Sequence, residues 1–144
     1  MIWMKRLTRK LSSFLVLCLL ISLLPVSASA KSLTYTDEYG AWTYQVEMDG
    51  SVTILKCDAA KKNIVIPAVI DGSPVKKLGK HLFQNNDTIT AVVIPHGVEE
   101  MEKMVFFNCD KLEHVEIPNS MQTIGDKAFS KCASLGDLYI PSSV

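Results

Sequence analysis

A period of 23 residues constrains the fold of this 144-residue chain more than any other feature. Three phenylalanines set its register, and apolar and proline columns recur at the same spacing. The columns are Phe83, Phe106 and Phe129; Val92, Val115 and Leu138; Ile94, Ile117 and Ile140; and Pro95, Pro118 and Pro141. They divide the chain into blocks 75–97, 98–120 and 121–143, and Val144 opens a truncated fourth block.

Short apolar blocks of this kind are predicted to stack on one another as a leucine-rich-repeat solenoid. Each block is expected to contribute one short strand, such as residues 113–117, that pairs in parallel with its neighbours and ends at proline. The limb "SMQTIGDKAFSKC" is expected to return with its apolar side chains inward, through a short helical or irregular turn after Gly125. Glu102 occupies the place of Gly79 and Gly125, so a positive φ is not required there.

The segment before the repeats has a different pattern. "AWTYQVEMDGSVTILKC", residues 41–57, contains two alternating runs joined by Asp49-Gly50, which predicts a β-hairpin. We therefore assign 31–62 as an N-terminal hairpin cap over the first repeat. The repeats then occupy 63–144 and begin with a strand at 63–67, "NIVIP". Five residues beyond the period follow Pro67 and predict a looped-out turn at 71–74.

Residues 1–30 have the pattern of a secretory signal peptide. A basic head precedes the apolar run 14–24, which is short for a membrane span, and Ala28 and Ala30 suit a signal peptidase. We predict cleavage after Ala30; an uncleaved membrane anchor is the alternative. Bulky Leu17 before Cys18 argues against a lipoprotein. The predicted location is therefore secreted or cell-surface, with membrane contact only during export.

The charge of the mature chain disfavours nucleic acid as a partner. Four of the 15 Lys and Arg residues lie in the signal segment, whereas all 15 Asp and Glu residues follow it, which gives a net charge of −4. No basic stripe is present to neutralise phosphates.

The repeats resemble the BspA-like leucine-rich repeats of bacterial surface proteins. The resemblance is carried by "IPNSMQTIGDKAFSKCASLGDLYIP" and by the preceding "GSVTILKCDAAKKNIVIPAVIDGSPVKKLG". Asn86 in place of cysteine and Met101-Glu102 in place of Ile-Gly depart from the pattern. The resemblance implies a secreted or surface-anchored protein, in a family in which some members are adhesins that bind host matrix proteins or other cells.

No residue pattern indicates catalysis, a cofactor or a metal site. The chain contains no G-x-S-x-G, Walker loop, HExxH or paired C-x-x-C. His81, His96 and His114 are interpreted as surface residues, and Glu99, Glu100 and Glu102 as a solvated turn in preference to a calcium site. We therefore predict that the protein is not an enzyme.

The cysteines and the N-terminal aromatic residues each allow two interpretations. Cys57, Cys109 and Cys132 remain after processing, and the last two share a repeat column. A core-thiol role is favoured for this column over a disulfide. Four aromatic residues either pack the hairpin onto the first repeat, which is favoured, or form a sugar-stacking platform. They are Tyr35, Tyr39, Trp42 and Tyr44.

The repeat register selects one candidate binding surface, the outward side of the parallel strands. Its two columns are Asn63, Ala91, His114 and Asp137, and Val65, Val93, Glu116 and Tyr139. The leading hypothesis is a non-enzymatic binding scaffold that recognises a protein or glycan on a host or neighbouring cell. The alternative is that the repeats are the N-terminal spacer or targeting region of a larger surface enzyme, of which this chain is a fragment. Ending at "YIPSSV", the last coil is expected to present an uncapped edge through which the chain self-associates.

Overall fold

The computed structural model describes residues 31–144 as ten β-strands in two sheets; the signal-peptide prediction falls outside these residues. The strands are β1 (Leu33–Asp37), β2 (Gly40–Val46), β3 (Val52–Ala59), β4 (Asn63–Val65), β5 (Val69–Ile70), β6 (Ser73–Leu78), β7 (Ala91–Val93), β8 (Glu100–Met101), β9 (His114–Glu116) and β10 (Thr123–Ile124). One sheet, here the cap-linked sheet, has the order β1-β2-β3-β6-β8-β10, with β5 paired to β6. The three-stranded sheet has the order β4-β7-β9.

The parallel strands predicted from the period form the three-stranded sheet. Ala91 pairs with Asn63 on one side and with His114 on the other, and Val93 pairs in the same way with Val65 and Glu116. Both ladders are parallel. This arrangement confirms the leucine-rich-repeat solenoid.

The stacked core also follows the predicted columns. The rings of Phe83 and Phe106 stack with centroids 5.3 Å apart, and those of Phe106 and Phe129 with centroids 5.4 Å apart. The interplanar angles are 6° and 9°. Each coil therefore repeats the side-chain packing of the coil before it.

The N-terminal cap has one more strand than the predicted hairpin. The turn at Asp49-Gly50 joins β2 and β3, which pair antiparallel. In addition, β1 pairs antiparallel with β2, through a turn in which Asp37 Oδ1 accepts hydrogen bonds from the backbone N–H groups of Tyr39 and Gly40. Apolar Leu33 and Tyr35 alternate with polar residues, and this pattern indicates a strand that our prediction did not include.

The coils contain a second set of strands, which the prediction of one strand per block missed. Strand β6 pairs in parallel with β3 of the cap and with β8, and β8 pairs in parallel with β10. The aligned polar positions are Lys77, Glu100 and Thr123. The antiparallel cap thus continues directly into the solenoid through hydrogen bonds between β3 and β6.

Of the helical or irregular turn expected after Gly125, the irregular form is observed, and residues 31–144 contain no helix. Lys127 and Lys131 both have left-handed backbone conformations, with φ of 57° and 61°. Single left-handed residues four positions apart prevent a right-handed helix from forming. The conformations recur at the repeat period, first in His81, Met104 and Lys127 and then in Asn85, Asn108 and Lys131.

The residues inserted after Pro67 form a small antiparallel hairpin between β5 and β6. Its turn contains Asp71 and Gly72 with φ of 49° and 82°. The Asp71 carboxylate accepts a hydrogen bond of 2.5 Å from the Tyr44 hydroxyl on β2. This contact joins the inserted turn to the cap and raises the pKa of Tyr44.

Candidate binding surface

The three-stranded sheet brings six of the eight candidate residues into two adjacent columns. Ile64, Val92 and Val115 alternate with them and are buried, so the column residues lie on the opposite, outward side. Asn63, Ala91 and His114 form one column, and Val65, Val93 and Glu116 form the other.

Asp137 and Tyr139 extend this surface into the third coil, although no strand is assigned at their positions. The Gly136 N–H donates a hydrogen bond of 3.1 Å to the Glu113 carbonyl and holds this segment beside β9. Asp137 and Tyr139 line a shallow cavity of about 290 Å³ with His114 and Glu116. The structure thus places both residues next to the strand columns.

Apolar groups are accessible on the surface at two places. The side chain of Tyr139 is 73% exposed and that of Val65 is 38% exposed, whereas Ala91 and Val93 are half-buried. An aromatic ring this accessible is a suitable anchor for a partner.

The carboxylates of the surface have few cationic partners. His114 Nε2 lies 3.6 Å from Glu116 Oε1, and within residues 31–144 Asp137 forms no ion pair. The end of the surface formed by β9 and the third coil is therefore acidic.

The outer side of the cap-linked sheet has a different electrostatic character. Lys76 pairs with Glu99 at 3.1 Å, and Lys77 pairs with Glu100 at 2.9 Å. These residues form one side of a groove of about 440 Å³ beneath the β2–β3 turn. The sequence contains a signal for this neutralised surface that our prediction did not use, since Lys76-Lys77 and Glu99-Glu100 lie one period apart.

The groove also contains a carboxylate held from within the cap. Glu47 Oε1 accepts hydrogen bonds from Thr53 Oγ1 at 2.5 Å and from Gln45 Nε2 at 2.8 Å. These two hydrogen bonds lower the pKa of Glu47. These hydrogen bonds to a charged acceptor tie Glu47, at the start of the β2–β3 turn, to both strands of the hairpin.

The glutamates considered for calcium binding each have a separate partner. Glu99 and Glu100 pair with lysines, and Glu102 Oε2 accepts a hydrogen bond of 2.7 Å from the Lys80 backbone N–H. No group of three or more metal-binding side chains occurs in the part of the chain that the structure describes. His81, His96 and His114 are all exposed.

The N-terminal aromatic residues pack the cap, which confirms the favoured interpretation. Trp42 and Tyr44 are buried, and the half-buried Tyr35 and Tyr39 pack against the same core. With their rings occupied in this way, they do not form an exposed platform.

The cysteine column forms hydrogen bonds between coils. The Cys109 thiol donates to the Phe83 carbonyl, and the Cys132 thiol donates to the Phe106 carbonyl, each at 3.0 Å. Cys57, Cys109 and Cys132 are free in this structure. Burial raises the pKa of Cys109 to about 12, which leaves the thiol protonated and unreactive.

Comparison with known proteins identifies the repeat type. The model of the BspA type leucine rich repeat region matches residues 45–144 in six copies. The chain belongs to the BspA-type leucine-rich repeat family. A search of curated proteins gives no match. The family and fold of BspA-type repeats are typically those of non-enzymatic scaffolds.

Solved structures of bacterial leucine-rich repeat proteins are similar to this chain in fold. A leucine rich repeat protein of T. pallidum is 25% identical, with a TM-score of 0.69, over 76% of this chain and 50% of its own. A leucine rich cell surface protein of Faecalibacterium prausnitzii is 33% identical, with a TM-score of 0.63, over 77% of this chain and 31% of its own. A leucine-rich repeat protein of Bacteroides capillosus is 28% identical, with a TM-score of 0.69, over 77% of this chain and 84% of its own. The chain thus spans half or less of the first two proteins.

Within residues 31–144, no helix is long and apolar enough to cross a membrane.

Proposed function

We propose that the protein is a secreted or cell-surface adhesion module, without enzymatic activity, that recognises a protein or glycan through the three-stranded sheet and the adjoining third-coil segment. Export would be directed by the N-terminal signal sequence predicted at residues 1–30. The comparison with a Faecalibacterium prausnitzii cell surface protein supports a surface location.

We choose this surface because the outer faces of the two sheets differ in how their charged side chains are paired. The outward lysines of the cap-linked sheet are paired with glutamates of the next coil, whereas the other surface leaves Asp137 unpaired among the described residues and Tyr139 73% exposed. A rigid sheet with accessible polar and aromatic side chains can bind a partner without a cofactor.

A binding array tests this proposal. The full chain is applied to immobilised extracellular-matrix proteins and to a glycan array, together with a Tyr139→Ala/His114→Ala variant. Because this variant lacks the exposed Tyr139 ring and the neighbouring His114 imidazole, it is expected to bind the ligand about tenfold more weakly. The matched control is Gln122→Ala/Thr123→Ala, because both residues are exposed and lie at or beside β10 of the other sheet. Equal binding by the anchor variant, or no binding to either array, refutes the proposal.

A second candidate function is that of a rigid spacer in a larger surface enzyme. It is favoured by the continuity of the backbone hydrogen bonds, since Phe83 N–H donates to the Val105 carbonyl and Phe106 N–H donates to the Ala128 carbonyl, each at 2.8 Å. Such ladders keep the coils in a fixed orientation. A catalytic domain encoded downstream, together with unaltered ligand binding by the anchor variant, would favour the spacer.

A further inference from the structure

The candidate surface is polarised along the axis of the solenoid. Strands β4 and β7 contribute the apolar Val65, Ala91 and Val93 and one polar residue, Asn63, so this end is mainly apolar. The opposite end contributes Glu116, Asp137 and Tyr139. A ligand that matched the whole surface would need two chemically different ends.

The acidic end is not neutralised by nearby lysine or arginine. Its cavity is lined by His114, Val115, Glu116, Ile117, Asp137 and Tyr139. The His114–Glu116 contact of 3.6 Å is the sole ion pair that involves these residues within the described chain, and its charge depends on protonation of the imidazole. The second coil, which contributes Glu116 to this end, pairs its Glu99 and Glu100 with lysines on the other sheet, so the two faces differ in charge balance.

We propose that the partner is an extended polypeptide segment with apolar residues at one end and arginine or lysine at the other. This inference rests on the proposed binding function and names the chemistry of the partner. The apolar residues pack on Val65 and Val93. The cationic side chain lies against the Tyr139 ring and near the carboxylates of Glu116 and Asp137.

The spacing of the coils suits a short segment of this kind. Neighbouring strands lie about 4.8 Å apart, so the distance from β4 to the third-coil segment is about 14 Å. An extended peptide that crosses the strands covers this distance in about four residues, at roughly 3.4 Å per residue. One segment can therefore contact both ends of the surface.

Charge favours a cationic polypeptide over other partners. A guanidinium or ammonium group over a tyrosine ring is attracted by the negative face of the ring, a cation–π interaction. The neighbouring carboxylates add Coulomb attraction. Acidic polysaccharides and nucleic acids would be repelled by the same carboxylates, and a neutral glycan would gain nothing from their charge.

The test is a titration of the isotopically labelled full chain, followed by NMR, with two synthetic peptides. One is acetyl-Val-Thr-Val-Gly-Arg-Arg-amide, and in the other both arginines are glutamine. The arginine peptide is expected to shift the amide signals of Val65, Val93, Glu116 and Tyr139 with one common affinity. That affinity should fall as ionic strength rises, because the charges are exposed. The glutamine peptide should bind about tenfold more weakly.

Isosteric variants separate charge from shape. Glu116→Gln/Asp137→Asn is expected to weaken the arginine peptide about tenfold and to leave the glutamine peptide unchanged. Tyr139→Phe should retain binding, because its ring remains. The control is Asp110→Asn/Asp126→Asn, which makes the same charge change at exposed positions on the limbs.

Equal affinity for the two peptides, or an unchanged affinity in the Glu116→Gln/Asp137→Asn variant, overturns the inference. Different results refute the proposed binding function. If neither peptide binds but an array ligand still depends on Tyr139 and His114, the surface is functional and the cationic partner is wrong. A neutral glycan found as that ligand also overturns the cationic partner. If neither peptides nor arrays bind, both proposals fall.

Discussion

Glu102 reaches back one coil and accepts a hydrogen bond of 2.7 Å from the Lys80 backbone N–H. It occupies the column that holds Gly79 and Gly125 in the other coils. A Cβ added at Gly125 would lie 2.5 Å from Lys103 N, and one added at Gly79 would lie 2.7 Å from the Ile54 carbonyl oxygen. The two glycines therefore permit close approach of neighbouring backbones, whereas the second coil has room for a side chain and uses its carboxylate.

Gly125→Ala is expected to destabilise the protein by about 2 kcal/mol, because the coils must separate or strain to admit the methyl group. Urea denaturation measures the loss. Gly136→Ala is the control, since its Cβ would meet only the Glu113 carbonyl oxygen at 3.6 Å. Equal losses for the two variants would contradict this account of the column.

Phe106→Ala is expected to cost about 4 kcal/mol, because the ring is fully buried between Phe83 and Phe129. Phe129→Ala should cost clearly less, since Phe129 is half-buried. Both values come from chemical denaturation. A greater loss from Phe129→Ala would show that the middle of the stack is not the best-packed position.

Some features of this fold can be predicted from the sequence and others cannot, for identifiable physical reasons. The phenylalanine stack and the three-stranded sheet were predictable because large inward side chains must recur in every coil. The strands β8 and β10 have only two residues each, too few to show an alternation. The left-handed backbone conformations of Met104 and Lys127 could not be predicted from the sequence, because neither residue type favours that conformation. Asparagine does favour it, so Asn85 and Asn108 were a usable indication.

Lys127→Gly is expected to stabilise the protein by roughly 0.5 kcal/mol, because glycine adopts the left-handed conformation without a Cβ penalty. Thermal and urea unfolding report the change. Lys111→Gly should instead be destabilising, since exposed Lys111 is not among the residues with positive φ. If both variants were destabilising, the backbone at Lys127 would not be strained.

Thr53→Val is expected to cost about 1 kcal/mol at neutral pH, because Glu47 loses a hydrogen-bond donor. The pKa of Glu47 is lowered in the folded state, so its stabilising effect is present above the unfolded value of about 4.3 and is lost as pH falls through the folded pKa. The difference between wild type and Thr53→Val should therefore shrink in acid.

The measurement is the free energy of unfolding as a function of pH. Thr36→Val, on exposed β1, is the matched control and should follow the wild-type curve. If the difference in unfolding free energy between wild type and Thr53→Val stayed constant as the pH fell, the loss would come from packing alone.

Cys132 is expected to react with iodoacetamide before Cys109 and Cys57. Burial raises the pKa of Cys109 and Cys57 to about 12, and Cys132 is only half-buried. Peptide mapping of the alkylated full chain follows each site separately. Denaturant should abolish the differences. Equal rates in the native protein would mean that the cysteine column opens readily to solvent.

The left-handed turns, the stacked rings and the backbone ladders all recur at one interval, so each block presents to its successor nearly the same contacts that it receives from its predecessor. Unequal recombination within the gene can therefore add or remove a whole block while preserving both neighbouring junctions, whereas an insertion of another length has to loop out, as the residues after Pro67 do. A protein of this kind can therefore evolve a longer solenoid and a new set of outward residues by duplication of blocks, without a substitution at any single site.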